Sequence, residues 1–329
     1  MVTRRTFGKT VLAGIPASLA WARINSTVHG VRLGACTYSF RDMLRMPVEQ
    51  RIPATIQALT DCGAGITELF SPTIEAVSGA LPGGGGGRPP GAQSGQPVDP
   101  KVMQERMRAR MNSPEAKKAR DDLREWRLST PMDYFHNVRK KFDDAGIDIY
   151  AYTVNYRDDF TDDELGKTFE QAKALGVGII AASTQLSMMQ RLLPFSEKYK
   201  IVVAFHGHSN TKDPNEFSSP ETFAKAWQMS KYFKTNLDIG HFTAANFDAV
   251  AFIKEHHDHI THLHIKDRKR NDGPNMPFGE GDTPIKQVLV LLKETQYPIP
   301  ALIEYEYRGT GTSVEETKKC MEYMKQALA

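Results

Sequence analysis

Residues 161–183, TDDELGKTFEQAKALGVGIIAAS, contain one complete helix-to-strand unit. Thr161 suits the N-cap of a helix, and the three acidic residues after it offset the positive N-terminal end of the helix dipole. Gly176 ends the helix, and the apolar run that follows predicts a strand. The same order of helix, glycine and strand recurs in residues 142–147, where Gly146 is the stop. Both units indicate an alternating α/β chain.

The alternation of strand and helix extends outward from this unit over most of the chain. The candidate strands are short, rich in β-branched and aromatic residues, and mostly continuous in hydrophobicity, as buried parallel strands are. Eight of them with helices between predict an α/β protein with a closed (β/α)8 or TIM barrel, as a single domain over 31–329. A doubly wound open sheet is the alternative, but neither GxGxxG nor GxxxxGK[ST] follows a strand. The predicted strands are 31–37, 65–70, 147–153, 178–183, 201–206, 235–239, 260–265 and 301–305.

A long insertion after the second strand, residues 71–130, breaks this rhythm. Residues 81–100 are rich in Gly, Pro and Gln, a composition that cannot bury a core, and we expect disorder there. Residues 101–127 combine mixed charges with helix-forming residues. This part of the insertion predicts either a solvated helix or a lid over the face of the barrel where catalysis takes place.

The N-terminus has the composition of an export signal. Arg4 and Arg5 form a twin-arginine pair, residues 10–20 are weakly apolar, and residues 20–22, AWA, offer a small-x-small cleavage site. We therefore expect a twin-arginine signal peptide over 1–22 and a periplasmic or secreted bacterial protein, with a retained N-terminal anchor as the alternative. No later run is apolar and long enough to suggest a membrane span in the mature form.

Charge and cysteine content argue against several classes of function. The whole chain carries a formal charge of +3, and three basic side chains without an acid lie in residues 1–22, so the remainder is close to neutral. Such a protein has no global electrostatic attraction to nucleic acid or to an anionic membrane. The cysteines, Cys36, Cys62 and Cys320, lie far apart without a CxxC motif, which favours small core residues over a disulfide framework or a zinc site.

Four polar residues lie at the ends of four successive predicted strands. The C-terminal ends of barrel strands face one pocket, so strands five to eight would bring these side chains together. Two imidazoles and two carboxylates suit one divalent metal ion, for which Mn²⁺, Co²⁺, Zn²⁺, Fe²⁺ and Mg²⁺ stay open, better than Ca²⁺. No cysteine lies near them in sequence. The four are His206 in AFHGHSN, Asp238 in NLDIGHF, His264 in THLHIKDR and Glu304 in ALIEYEY.

Other polar residues near predicted strand ends are candidates for catalysis and substrate binding. His208 is the alternative metal ligand to His206, although the strand register favours His206. With Glu304, His208 and Lys266 are candidate acid/base residues. For one candidate substrate contact, Glu68, a salt bridge to a lysine is an equally good interpretation. The candidate substrate contacts are Glu68, His241, Tyr38 and Arg308.

Several short motifs, by their order and spacing, resemble the xylose isomerase-like barrel superfamily, specifically the sugar phosphate isomerases/epimerases. The resemblance runs from about residue 33 to the C-terminus. It implies a metal ion held by Glu, Asp, His and Glu from strands five to eight, and Asp238, His264 and Glu304 match the last three. His206 departs from the first. The motifs are GACTYSFRD (34–42), ITELFS (66–71), DDAGI (143–147), LDIGH (237–241), HIKD (264–267), FGEGDTPI (278–285) and ALIEYE (301–306).

The chemistry that the resemblance implies is proton removal next to a carbonyl, through an enediolate stabilised by the metal. Because His206 replaces one of two glutamates, Glu304 is the remaining carboxylate base, which favours one-base chemistry. We expect an exported, metal-dependent sugar isomerase/epimerase-type enzyme for an unphosphorylated small-molecule carbohydrate, with no nucleic-acid partner and homo-oligomerisation left open. The alternatives are a keto-sugar lyase or hydratase on the same scaffold, and a non-catalytic periplasmic sugar-binding barrel.

Overall fold

The structure is a computed structural model that describes residues 23–76 and 113–329. Eight parallel strands of these residues close into a barrel, because β1 pairs with β2 on one side and with β8 on the other. The predicted (β/α)8 TIM barrel in a single domain is therefore confirmed. The strands are β1 Val31–Cys36, β2 Ile66–Phe70, β3 Asp148–Val154, β4 Ile179–Ala182, β5 Val202–His206, β6 Phe233–Asp238, β7 Ile260–Ile265 and β8 Ala301–Ile303.

Ten α-helices of the described residues accompany the strands. Helix α4 shows the usual arrangement, since Leu165, Phe169 and Ala172 share one face and are buried. Of these ten helices, none combines the length and hydrophobicity that crossing a bilayer requires. The helices are α1 Val48–Asp61, α2 Pro114–Ser129, α3 Met132–Asp144, α4 Asp162–Ala174, α5 Met189–Tyr199, α6 Pro220–Met229, α7 Ile239–Ala244, α8 Ala249–His256, α9 Ile285–Thr295 and α10 Ser313–Leu328.

The helix-to-strand units predicted from the sequence form as expected. The Thr161 side chain accepts a hydrogen bond from the backbone N–H of Glu164 and so caps α4. Gly146 and Gly176 follow α3 and α4 with φ of 74° and 69°, the left-handed conformation that ends a helix and that glycine adopts without strain. Each glycine therefore turns the chain back towards the barrel.

Two strand boundaries differ from the prediction. Strand β6 begins at Phe233 rather than at residue 235, because Phe233 pairs with Val203 of β5, and the preceding helix ends at Met229. Strand β8 is shorter than predicted and ends at Ile303. Its pairing nevertheless extends one residue further, since the Glu304 N–H donates a hydrogen bond to the Ile265 carbonyl at 3.1 Å.

The insertion connects β2 to α3 and contains α2. The predicted disorder in 81–100 and the predicted signal peptide in 1–22 both lie outside the described residues. Helix α2 is fastened to the barrel at its C-terminal end, where Arg127 lies between Glu75 and Glu164, at 2.7 and 2.8 Å. All three side chains are buried. This end of the insertion is thus anchored beside the barrel mouth and is not a freely solvated helix.

Candidate metal centre

The carboxyl ends of β5 to β8 bring four buried side chains together. His206 and Asp238 are the last residues of β5 and β6, His264 is the second-last residue of β7, and Glu304 directly follows β8. Asp238 and His264 are partners in the parallel register. One potential ligand atom from each of the four lies within 4.8 Å of the others. We call these four residues the ligand cluster.

The hydrogen bonding of two atoms in the ligand cluster indicates whether a metal ion fits there. His206 Nδ1 and Asp238 Oδ2 are buried and have no hydrogen-bond partner among residues 23–76 and 113–329. Asp238 Oδ2 lies 3.1 Å from Lys266 Nζ, a charge contact without hydrogen-bond geometry. A buried polar atom without a partner costs roughly 1–3 kcal/mol. A metal ion would supply the missing partner for both atoms, so this cluster could hold one.

The electrostatics of the ligand cluster favour two neutral or negative ligands at neutral pH. Burial lowers the pKa of His206 well below its ordinary value, and the neighbouring His264 lowers it further, so His206 is a neutral imidazole. Burial raises the pKa of Glu304, but Lys266 and His264 outweigh burial and hold that pKa well below its ordinary value. Metal ligands must be deprotonated, and these two residues meet that condition. Burial raises the pKa of Asp238 to about 6. Burial lowers the pKa of His264, but Glu68 and Glu304 outweigh burial and hold that pKa well above its ordinary value, so a metal would have to displace a proton from His264.

Lys266 is the main positive charge inside the centre. Its ammonium is buried and lies within 3.1 Å of three carboxylates. Burial lowers its pKa, but those carboxylates raise it well above the ordinary value. Lys266 is therefore charged and neutralises part of the negative charge of the cluster. The contacts are Asp238 Oδ2 at 3.1 Å, Glu304 Oε2 at 2.9 Å and Glu306 Oε2 at 2.7 Å.

Beneath the ligand cluster, Glu68 holds His264 in place. Glu68 is 0% exposed in the middle of β2. Its Oε2 lies 2.9 Å from His264 Nε2 and also contacts His262 Nε2. The second nitrogen of His264, Nδ1, lies 2.9 Å from Glu304 Oε2. Glu68 therefore fixes the ring so that Nδ1 faces the other members of the cluster, the usual task of a carboxylate behind a metal-binding histidine.

The surroundings of Glu68 differ from the salt bridge to a lysine that the sequence allowed, and Glu68 also lines the cavity above the ligand cluster. Within residues 23–76 and 113–329 it contacts no lysine, and two histidines, Asn236 Nδ2 at 3.2 Å and Thr153 Oγ1 surround its carboxylate. Cys36 adds a further contact, with Sγ 3.5 Å from Glu68 Oε1. Cys36 is far from the ligand cluster in sequence but lies beside the centre in the folded protein, where it also lines the cavity. Burial and the charge of Glu68 raise the pKa of Cys36 well above its ordinary value, so it is a thiol.

His208 lies beside the ligand cluster rather than in it. Its Nδ1 is 2.6 Å from Glu216 Oε1, and its Nε2 is 3.4 Å from Ser183 Oγ. Its backbone N–H donates to the Phe217 carbonyl, which folds the loop after β5 back on itself. The structure thus groups His206, and not His208, with the other three potential ligands, and it leaves His208 half-buried at the edge.

A cavity of about 300 Å³ opens above the ligand cluster. Tyr38 and His241, both predicted substrate contacts, line it, and so do Lys266, His208 and Glu306. His241 lies between Lys266 Nζ, at 3.1 Å, and a guanidinium nitrogen of Arg268, at 2.7 Å. Arg308, the remaining predicted contact, is exposed and does not line this cavity.

A model of the xylose isomerase-like TIM barrel family matches residues 117–327. The chain belongs to this family. Among curated proteins, it is similar to the L-ribulose-5-phosphate 3-epimerases UlaE of Salmonella paratyphi A and of Escherichia coli, at 30% identity over 98 residues. The alignments cover 30% of this chain and 34% of each relative, so the chain spans about a third of the length of the curated relatives that it matches.

Solved structures share the fold at lower sequence identity. A sugar phosphate isomerase/epimerase from Parabacteroides distasonis has a TM-score of 0.56 at 17% identity and covers 92% of this chain and 98% of its own. The 3-keto-D-glucoside 4-epimerase YcjR of E. coli has a TM-score of 0.57 at 9% identity, with 90% and 99% covered. The probable 3-DHS dehydratase AsbF of Bacillus anthracis has a TM-score of 0.55 at 14% identity, with 89% and 98% covered. These likenesses establish the fold.

Proposed function

We propose that this chain is a divalent-metal-dependent sugar isomerase or epimerase-type enzyme that removes a proton next to a carbonyl group. The observation that carries the proposal is the ligand cluster, whose atoms converge within 4.8 Å and include two buried atoms without another hydrogen-bond partner in the described part of the chain. The family and the similarity to epimerases over part of the chain support the same class of chemistry.

In this proposal, the ligand cluster holds the ion and Glu304 accepts the proton. When bound, the ion would attract two substrate oxygens and stabilise the negative charge that develops on them. Glu304 stays ionised, and its contacts with His264 and Lys266 both go to Oε2. Among the described residues, this leaves the other carboxylate oxygen as the natural acceptor for the substrate proton.

His208 is suited to be the acid that returns a proton to the substrate. With its Nδ1–H donated to Glu216, His208 acts as the acid in its imidazolium form, in which Nε2 also carries a proton. This Nε2 lies 3.4 Å from Ser183 Oγ, and both residues line the cavity. Lys266 contributes a fixed positive charge beside Glu304 and stabilises negative substrate oxygens. The base and the acid would then be different residues on different strands, with the substrate between them.

Elimination or hydration of a keto-sugar is the second candidate. One observation favours it. The epimerases that the sequence resembles have a glutamate at the end of the fifth strand, whereas β5 of this chain ends in His206. A centre with one carboxylate base and a separate histidine acid suits a reaction in which a proton and a hydroxyl group leave from neighbouring carbons.

Metal analysis and solvent exchange test the proposal together. We expect the purified protein to contain about one equivalent of a divalent metal and to incorporate deuterium into a keto- or aldo-sugar in D₂O. Glu304→Gln should keep most of the metal and lose exchange by roughly 10²- to 10⁴-fold. Glu322→Gln, at an exposed position of α10, is the matched control. Protein without metal, or full exchange in Glu304→Gln, would contradict the proposal, and metal without any exchange would favour a sugar-binding barrel.

Export through the twin-arginine pathway is a separate proposal. It is supported by the Arg4–Arg5 pair and by the AWA site at residues 20–22. N-terminal sequencing of protein expressed in a bacterial host should find Arg23 as the first residue of a periplasmic form. Retention of residues 1–22 would indicate the membrane-anchored alternative.

A further inference from the structure

A second cavity lies beside the one above the ligand cluster. Its volume is about 490 Å³, and it opens between the carboxyl ends of β3 and β4 and helix α2. Asn155, Ser183 and His208 line both cavities, so the two spaces adjoin. A substrate whose reacting carbon lies at the ligand cluster can therefore extend into this second space, which we call the arginine cavity because Arg120 and Arg157 line it.

Arg120 and Arg157 line the arginine cavity, and both of them also line an adjoining pocket together with Arg124 and Arg127. Three of these four arginines lie on α2 and form ion pairs with the loop after β3, with α4 and with Glu75, so carboxylates offset their charges. The pairs are Arg120–Asp159 at 2.9 Å, Arg124–Glu164 at 3.1 Å and Arg127–Glu75 at 2.7 Å. The fourth arginine, Arg157, is the exception.

The Arg157 side chain is half-buried and has no hydrogen bond or ion pair with the described residues. Burial lowers its pKa, and the positive charges of Arg120 and Arg127 lower it further against the attraction of Asp159. A guanidinium carries five N–H donors in a planar fork, and this fork matches the two oxygens of a carboxylate or phosphate. Among the described residues, Arg157 thus offers a guanidinium without an ion pair in a cavity that adjoins the centre, although Asp158, Asp159 and Glu216 also line this cavity.

We propose that Arg157 binds an oxyanion, a carboxylate or a phosphate, carried by the substrate at the end remote from the reacting carbon. The inference rests on the proposed function, since it takes the ligand cluster as the reaction centre. Asn155, Thr184 and Gln185 line the same cavity and supply neutral hydrogen-bonding groups for sugar hydroxyls. The substrate class is then a sugar acid or a sugar phosphate, and the predicted export favours the sugar acid.

Titration with simple anions tests the site without knowledge of the substrate. Binding of inorganic phosphate and of acetate is measured by calorimetry at low salt for the wild type, Arg157→Gln and Arg32→Gln. Arg32 is a control because it lies on β1, is exposed and pairs with Asp148 at 2.9 Å. We expect the anion that fits to bind about tenfold more weakly to Arg157→Gln, as loss of a charge-assisted hydrogen bond requires. The Arg32→Gln protein should match the wild type.

A second arm identifies the source of the oxyanion. D-Glucose, D-glucuronate and D-glucose 6-phosphate differ only at C6, and their competition with the bound anion separates a carboxylate from a phosphate. Equal anion affinity in the wild type and Arg157→Gln, or no anion binding at all, would overturn the inference. If metal content and sugar exchange persist in that case, the proposed function stands and only the oxyanion site fails.

Discussion

We predict that Glu68→Gln lowers the affinity for divalent metal although Glu68 is outside the ligand cluster. Glu68 Oε2 lies 2.9 Å from His264 Nε2 and fixes the ring whose Nδ1 faces Glu304. Glutamine keeps the size of the side chain but removes its negative charge. The loss of one charge-assisted hydrogen bond costs roughly 1.5–3 kcal/mol. This cost corresponds to a weakening of about 10- to 100-fold in Kd, the usual effect of losing a carboxylate behind a metal-binding histidine.

The assay is a metal titration against a chelating dye, at alkaline pH where protons compete little for imidazole. Wild type, Glu68→Gln and the exposed control Glu322→Gln are compared, and circular dichroism shows whether each variant is folded. A folded Glu68→Gln protein with the metal Kd of the wild type would refute the reasoning. It would mean that the orientation of His264 does not depend on Glu68.

Three further predictions concern stability. Arg127→Met should lower the free energy of unfolding by about 3–5 kcal/mol because it removes the guanidinium that pairs with buried Glu75 and Glu164, and Glu164 keeps only Arg124. Lys140→Met, in an exposed pair with Asp144, should cost about 0–1 kcal/mol, and urea denaturation compares the two variants. Gly176→Ala should cost about 1–2 kcal/mol at its φ of 69°, and an unchanged melting temperature would contradict this. Removing metal with EDTA should lower the melting temperature, and restoring the metal at 100 times Kd should return about 2.7 kcal/mol.

The barrel and the ligand cluster were predictable because both depend on local signals. Apolar runs that end in a polar residue locate the carboxyl end of a strand, and parallel strands place those ends at one mouth. The helix stops at Gly146 and Gly176 are local in the same sense, since each requires only a positive φ after a helix. The start of β6 was predicted two residues too late, because the charged Lys234 interrupts its apolar run after Phe233.

The residues that support the ligand cluster were not predictable because their partners are far away in sequence. Glu68 contacts His262 and His264, which lie more than 190 residues later. The sequence predicts Cys36 to be a small core residue, and only the closed barrel places it beside Glu68. Arg157 follows a predicted strand, and no motif marks it. Its lack of an ion pair among the described residues depends on the tertiary structure, in which the neighbouring carboxylates pair with the three arginines of α2.

The contact between Glu68 and His264 links two parts of the chain that are far apart in sequence. The ligand cluster comes entirely from β5 to β8, but the carboxylate that orients His264 comes from β2, 196 residues earlier. A C-terminal half of the barrel would contain every proposed ligand and still lack this support. Tight metal binding should therefore occur only after the barrel has closed. During refolding, we expect high-affinity metal uptake to appear with the late pairing of β1 and β8 and not with the earlier formation of helices.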